Sequence, residues 1–378
     1  MAGDGSDRAV RNPALKVLLI VRSAFSPVTG GSDLRSASVA KNLAALGVEV
    51  FVFCVSDHFE GGPSGAWVGR PDGHPVDEEW TPRVATALAL LLDAVDPDIA
   101  ILEQLFTCPA LVILGNHRCR VVLNTHNVEG PLAADLVGMV NGPGDPVRRL
   151  AASRISAREL ATLDAVDEVW ACSRRDAETL AELTATPVCF VPNVVQLPPR
   201  TALKRVEHQL LFVGSLTYVP NLDAVEILLA TMPRLRAVMA DATLVIAGSS
   251  APRLLVERVA GPSWCLLQSD PESVTDALAT AAALVVPLRV GGGSRFKVLE
   301  AFAANLPVIS TCKGVEGLDV RPGTHFLEAN TAEELISAVR ALRVAPELGA
   351  RLAERAFDFV RQSHSDDTLL AILKERVV

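Results

Sequence analysis

Short apolar runs alternate with longer stretches of helical period along this chain. Lys16–Val21 (KVLLIV), Val48–Val55 (VEVFVFCV), Asp98–Leu102 (DIAIL), Arg120–Leu123, Asp167–Cys172 (DEVWAC) and Pro187–Val191 are rich in β-branched residues. They show no polar alternation, which suits strands buried on both faces of a parallel sheet. Segments of helical period lie between them, at about 33–46, 83–95, 107–116 and 148–164, with another helix capped at Ser173. Gly47 stops the first of these, and Ser32 or Asp33 is placed to cap it. The pattern then repeats. Gln209–Val213, Ala242–Ala247, Trp264–Leu267 and Ala283–Leu288 read as strands, and helices are expected from about Pro220 or Asn221, over 272–282, 332–343, 347–362 and 366–377. Strand and helix alternate in both halves, which predicts α/β architecture: two doubly wound, Rossmann-type parallel-sheet domains facing across a cleft.

Breaks in the pattern set the boundaries. Residues 1–12 are polar and expected to be disordered. Residues 57–80 and 138–147 are rich in Gly, Pro and acidic residues without a period, so loops are expected, the second of them mobile. The stretch 196–208 (QLPPRTALKRVEH) is proline-rich and cationic and reads as a stiff linker. The expected organisation is a first domain over 13–200, a second over 201–362 and a last helix over 363–378.

Composition narrows the class. The 378 residues are 49% hydrophobic and 21% charged with a net charge of −9, so a large core is available and broad nucleic-acid binding is disfavoured. No apolar run approaches the roughly 20 residues that span a membrane, which leaves only peripheral membrane contact open. The seven cysteines lack CxxC spacing and mostly lie in apolar runs, pointing to reduced, buried thiols, no structural zinc and a cytoplasmic protein.

The chemistry concentrates in 283–311, ALVVPLRVGGGSRFKVLEAFAANLPVIST. The order is strand, Gly291-Gly292-Gly293, Ser294 where an N-cap belongs, a helix carrying Phe296, Leu299, Ala303 and Leu306, then Pro307 and another strand. A helix start offers free N–H groups and a positive dipole end, and glycines let an anion approach the backbone. Arg295 and Lys297 put cations in the first helical turn, where the dipole disfavours them unless an anion is near. Glu300 follows on the same helix, and such a carboxylate commonly holds ribose hydroxyls. Gly214 and Ser215 repeat the strand–glycine–helix arrangement, Gln268 lies past a later strand, and Gly30 and Gly31 form a turn at the carboxyl edge of the first sheet. The GxGxxG dinucleotide fingerprint is absent there, which disfavours a dehydrogenase. His126, Asn127 and Glu129 (in THNVE) stand past another strand, where a histidine can donate to a hydroxyl or a developing negative charge.

The segment GGGSRFKVLEAFAANLPVISTCKGVEGL resembles the donor site of retaining GT-B glycosyltransferases of the group 1, family 4 type. GSLTYVPNLDAVEILL resembles their donor-domain opening, THNVE their HN-containing loop and Pro192-Asn193 the turn before their linker. Two glutamates separated by seven residues mark that family. The second matches Glu300 and would hold the donor ribose, while the first falls at Gly292. Val219, Pro220 and Asn221 stand where many members carry a basic residue, which leaves the phosphate charge to Arg295 and Lys297. The resemblance implies transfer of a sugar from a nucleoside-diphosphate sugar to a hydroxyl acceptor with retention, needing no metal or other cofactor. The acceptor would be a carbohydrate, a lipid-linked or a small molecule, in polysaccharide, glycoconjugate or secondary-metabolite synthesis. The donor would meet Gly214, Ser215, Gln268, the glycine triplet, Ser294, Arg295, Lys297 and Glu300. His126 would reach the reacting sugar from the first domain, with Gly30, Gly31, Asn127 and Glu129 on the acceptor or phosphate side. A nucleotide-sugar epimerase or phosphorylase on the same fold, or an inactive carbohydrate-binding relative, are the alternatives. The absent first glutamate suggests the last of these.

Overall fold

The computed structural model describes residues 14–24, 30–58, 79–141, 146–198, 205–293 and 295–378. Six strands form a first sheet: β1 (Lys16–Val21), β2 (Glu49–Cys54), β3 (Ile99–Glu103), β4 (Arg120–Asn124), β5 (Glu168–Ala171) and β6 (Val188–Phe190). A second has β7 (Gln209–Val213), β8 (Thr243–Gly248), β9 (Cys265–Ser269), β10 (Ala283–Val286), β11 (Val308–Ser310) and β12 (Leu327–Glu328). The orders are β2-β1-β3-β4-β5-β6 and β12-β11-β10-β7-β8-β9. Every strand pairing is parallel.

Helices supply the crossovers. They are α1 (Gly31–Ala45), α2 (Pro82–Val95), α3 (Leu111–Leu114), α4 (Glu129–Asn141), α5 (Pro146–Leu163), α6 (Arg174–Ala181) and α7 (Val219–Val238). After them come α8 (Arg253–Val259), α9 (Thr275–Thr280), α10 (Phe296–Ala303), α11 (Ala332–Val344), α12 (Pro346–Ser363) and α13 (Asp366–Val377). Layers on both faces explain the unbroken apolar runs: Leu18 and Ile20 enter one core of the first sheet, and Val17, Leu19 and Val21 the other.

Helix α12 packs on α10 against the second sheet, and the chain then returns to the first. Leu369, Leu373 and Val377 of α13, spaced one turn apart, join Val17, Leu19, Val39 and Leu43 in one cluster. Asp366 at its start accepts from Lys41 at 2.5 Å and from Asn42 at 3.0 Å. The two strands of chain that pass between the halves are bonded to each other. Val195 N donates to His364 O at 3.0 Å, and His364 Nδ1 donates to Asn193 O at 2.6 Å.

Several local expectations change. Gly30, not Ser32 or Asp33, takes the cap position of α1, and no side chain caps it. Helix α4 runs on through Gly138 to Asn141, because its apolar face packs on α5, so of the proposed loop 138–147 only 142–145 fall outside the described residues. The expected helix over 107–116 is a 3-10 segment, Leu105–Ala110, followed by the short α3, since Pro109 interrupts it. Gln268 and Ser269 end strand β9 rather than follow it, and Asp270, with φ 50°, makes the turn. Strand β12 was not anticipated from the sequence. All seven cysteines are free, but Cys312 is exposed and only Cys54, Cys108 and Cys172 are buried. The N-terminal residues 1–12, most of the 57–80 loop and part of the 196–208 linker lie outside the described residues.

Candidate active site

In the second sheet the strand order reverses between β7 and β10. Connections leaving these neighbours run to opposite sides, so a crevice opens at their carboxyl ends, the place where such sheets bind ligands. Gly214 and Ser215 leave β7 for α7. The glycine triplet leaves β10 for α10.

Lys297, in the first turn of α10, reaches across this crevice. Its Nζ donates to Asn221 Oδ1 at 2.7 Å and stands 4.5 Å from the centre of the Phe212 ring. Asn221 belongs to the first turn of α7, and its amide donates to Ser215 O at 2.9 Å, which fixes the orientation of the acceptor oxygen. A Cβ on Gly214 would meet Lys297 Nζ at 2.8 Å. Burial, and then the charge of Arg295, push Lys297 down to about 7. One helical turn on, burial pushes Glu300 up to about 7 against the pull of Lys297. No described residue donates a hydrogen bond to the Glu300 carboxylate. Both side chains lie beside the starts of α7 and α10.

Arg295 occupies the cap position of α10 that Ser294 was expected to fill; Ser294 lies outside the described residues. The guanidinium folds back into its own loop, with Nη1 donating to Gly292 O and Nη2 to Lys313 O at 3.2 Å. Its Nε is buried with no acceptor. The arginine therefore shapes the glycine loop and keeps one donor in reserve.

The first domain closes directly on this loop. Gly293, at φ 64°, lies so close to His126 O that a Cβ would collide with it, and a Cβ on Gly292 would meet Asn127 Oδ1 at 2.9 Å. Only glycine fits this double approach. Gly31 at the start of α1 touches the Phe296 ring, where an added Cβ would stand 2.9 Å from Cδ2. Three ion pairs span the same boundary: Lys313–Asp135 at 3.8 Å, Arg175–Glu316 at 2.7 Å and Arg174–Asp319 at 3.1 Å.

The His126 ring points into the first domain. Gln104 Nε2 donates to Nδ1 at 2.8 Å, which leaves the ring proton on Nε2, 3.0 Å from Glu103 Oε2. Glu103 also accepts from Ser36 Oγ at 2.9 Å and from Asn124 Nδ2. Asn124 Oδ1 accepts from buried Arg35, whose Nη1 also donates to Val191 O and Asn193 Oδ1 at 2.9 Å. Burial raises the Glu103 carboxyl, but the bonds from His126 and Asn124 and the charge of Arg35 outweigh it and hold it below the ordinary value. Burial lowers His126 more than Glu103 raises it, so the imidazole is neutral. Both ring nitrogens are thus committed. What His126 turns toward the cleft is its backbone.

A Cβ on Gly30 would meet none of the described residues within 4 Å, and Gln268 is the last residue but one of β9, two strands from the crevice. Sequence reading missed Asn221, Glu103 and Gln104. Glu103-Gln104 did leave a signal, a carboxylate and an amide inside the apolar run ILEQLF at a strand's carboxyl end. Among the described residues no group of three or more His, Cys, Asp or Glu side chains is placed to hold a metal ion, and no helix is long and apolar enough to cross a membrane.

Comparison with known families matches residues 29–197 to Glycosyltransferase Family 4 and residues 207–343 to Glycosyl transferases group 1. No curated protein sequence matches the chain. Among solved structures, sucrose-phosphate synthase from Thermosynechococcus elongatus is 15% identical with a TM-score of 0.75, over 96% of this chain and 98% of that one. The pneumococcal O-GlcNAc transferase GtfA, in complex with UDP and GlcNAc, is 10% identical with a TM-score of 0.72, over 97% and 99%. Anabaena HepE, in complex with UDP and glucose, is 12% identical with a TM-score of 0.68, over 95% and 98%. The two family matches between them take in most of the chain and meet at the crossing between its two sheets, so the protein is a GT-B-fold glycosyltransferase whose first half belongs to Glycosyltransferase Family 4 and whose second half belongs to Glycosyl transferases group 1.

Proposed function

We propose that this glycosyltransferase takes its sugar from a nucleoside-diphosphate donor and passes it to a hydroxyl acceptor with retention and without a metal ion. The observation that carries this reading is the convergence of Lys297 with the starts of α1, α7 and α10 at the crevice. A diphosphate placed there meets free N–H groups and one titratable cation. Glu300 suits the ribose, whose two hydroxyls would supply the donors it lacks. The UDP complexes of GtfA and HepE support a nucleotide of this class.

In the proposed reaction the bond from the anomeric carbon to the diphosphate breaks, and negative charge grows on the leaving oxygens. Lys297, once recharged, stabilises that charge, and Arg295 Nε is the nearest reserve donor. Charge supplied in advance at that point is what accelerates the step. The acceptor hydroxyl enters on the face the diphosphate leaves, and a phosphate oxygen receives its proton. His126 acts by holding the loop after β4 against the glycine triplet. Retention and the metal-free mechanism rest on the family resemblance and on these side-chain charges. The setting is polysaccharide, glycoconjugate or secondary-metabolite synthesis, with a carbohydrate, lipid-linked or small-molecule acceptor.

The test is calorimetric titration with UDP, ADP, GDP and dTDP, followed by incubation with the matching sugar donors in EDTA and anomeric analysis of the product by NMR. Binding of one nucleotide and an α-linked product from an α-linked donor support the proposal. Binding of none, or an inverted product, rejects it.

A further inference from the structure

Glu129 is the most unusual carboxylate in the first domain. It is the first residue of α4 and only 7% exposed. Helix capping does not account for it, because another carboxylate already performs that task. Glu159 of α5 accepts from Glu129 N at 2.6 Å and from Gly130 N at 2.9 Å, filling the start of α4. Glu129 Oε1 accepts from Asn127 Nδ2 at 3.0 Å, and no described residue donates to Oε2. Burial first, then the charges of Glu159 and Asp176, push this carboxyl up to about 7, against the bond from Asn127. Such a group is costly for the fold and unexplained by it.

The other face of Asn127 touches Gly292, in the loop that carries the proposed diphosphate site. Tyr218, the only tyrosine of the chain, feels the charges of both Glu129 and Arg295, and Asp176 is within electrostatic reach of both as well. Arg295, itself 7% exposed, has its buried Nε without an acceptor. Glu129 Oε2 in the first domain and Arg295 Nε in the second thus each lack a hydrogen-bond partner among the described residues, with Tyr218 and Asp176 within electrostatic reach of both. A pyranose beside the diphosphate carries hydroxyls that can donate to the first and accept from the second.

We infer that Glu129 grips the hydroxyls of the donor's sugar from the first domain, across from Gly292, where a side chain on the glycine loop would collide with Asn127. This rests on the donor reading above and adds the residue that recognises the sugar. The second domain supplies the cation and the ribose carboxylate and the first domain the carboxylate for the sugar, so the complete donor engages both sides of the cleft most fully.

The test compares binding of UDP with UDP-glucose, or of ADP with ADP-glucose where the nucleotide panel selects adenine. In Glu129→Gln the nucleoside diphosphate should bind within about twofold of the wild type. The advantage of the sugar donor over it should shrink at least tenfold, and donor turnover should fall roughly 10²-fold. Glu129→Asp should recover part of the turnover. Glu159→Gln disturbs the same helix start but leaves the Glu129 carboxylate in place, and should keep the binding ratio. An unchanged ratio in Glu129→Gln, an equal loss of both affinities, or a wild-type ratio of one overturns the inference. A wild type that binds no nucleotide removes it together with the donor reading.

Discussion

Lys297 and Glu300 lie one turn apart on α10, and each is moved to about 7 mainly by burial. The lysine is lowered, so it is charged below about pH 7 and neutral above it. The glutamate is raised, so it is neutral below about pH 7 and charged above it. Bound diphosphate restores the lysine charge and must therefore draw in a proton above neutrality. Nucleotide binding at pH 8 should take up about one proton, seen as a dependence of binding heat on buffer ionisation enthalpy. Lys297→Arg, always charged, should abolish that uptake; persistence of uptake in the variant would assign the proton elsewhere. His126 gives a second test. Its ring is committed to Glu103 and Gln104 and lies outside the nucleotide crevice. His126→Ala should leave nucleoside-diphosphate affinity within about threefold while turnover falls roughly 10²-fold through a misplaced loop. Equal losses of both would show that the variant damages the second domain too.

At the scale of elements, the start of α4 depends on a carboxylate borrowed from α5. Glu159→Ala strips two backbone N–H groups of their acceptor and should cost about 1–2 kcal/mol. A fall of a few degrees in the first thermal transition would register it, and an unaltered melting curve would mean that water replaces the cap. This contact was illegible in the sequence, since thirty residues separate the partners. The strands were legible because both faces of each sheet are covered, so apolar runs such as KVLLIV match β1 to the residue. The glycine loop was legible for a similar reason, since its order of strand, turn and helix is local. Caps were not. Ser32, Asp33 and Ser294 have the chemistry of a cap, yet Gly30 and Arg295 hold those positions, neither with a side-chain capping bond. Lys297 and Glu300 could be named from the sequence, but the fall of one and rise of the other to neutrality depend on burial beneath a second helix start.

Across the whole molecule, three ion pairs and the Gly293–His126 contact join the halves. Exposed pairs of this kind contribute roughly 0–1 kcal/mol each and weaken as the Debye length shrinks to about 3 Å in 1 M salt. Raising salt from 0.05 to about 1 M should open the cleft, seen by small-angle scattering as a larger radius of gyration, and saturating nucleotide sugar should reverse it. A radius independent of both would show that packing, not charge, sets the closure. The return of α13 to the first sheet has a different kind of consequence. Leu369, Leu373 and Val377 complete a core that includes Val17, Leu19 and Leu43, which are synthesised before the second half. The half that is synthesised first is therefore the half that finishes folding last. It must wait with an open apolar groove while the second half is made, so a nascent chain stalled between the second half and residue 366 should be a client for chaperones, whereas emergence of α13 should end that dependence.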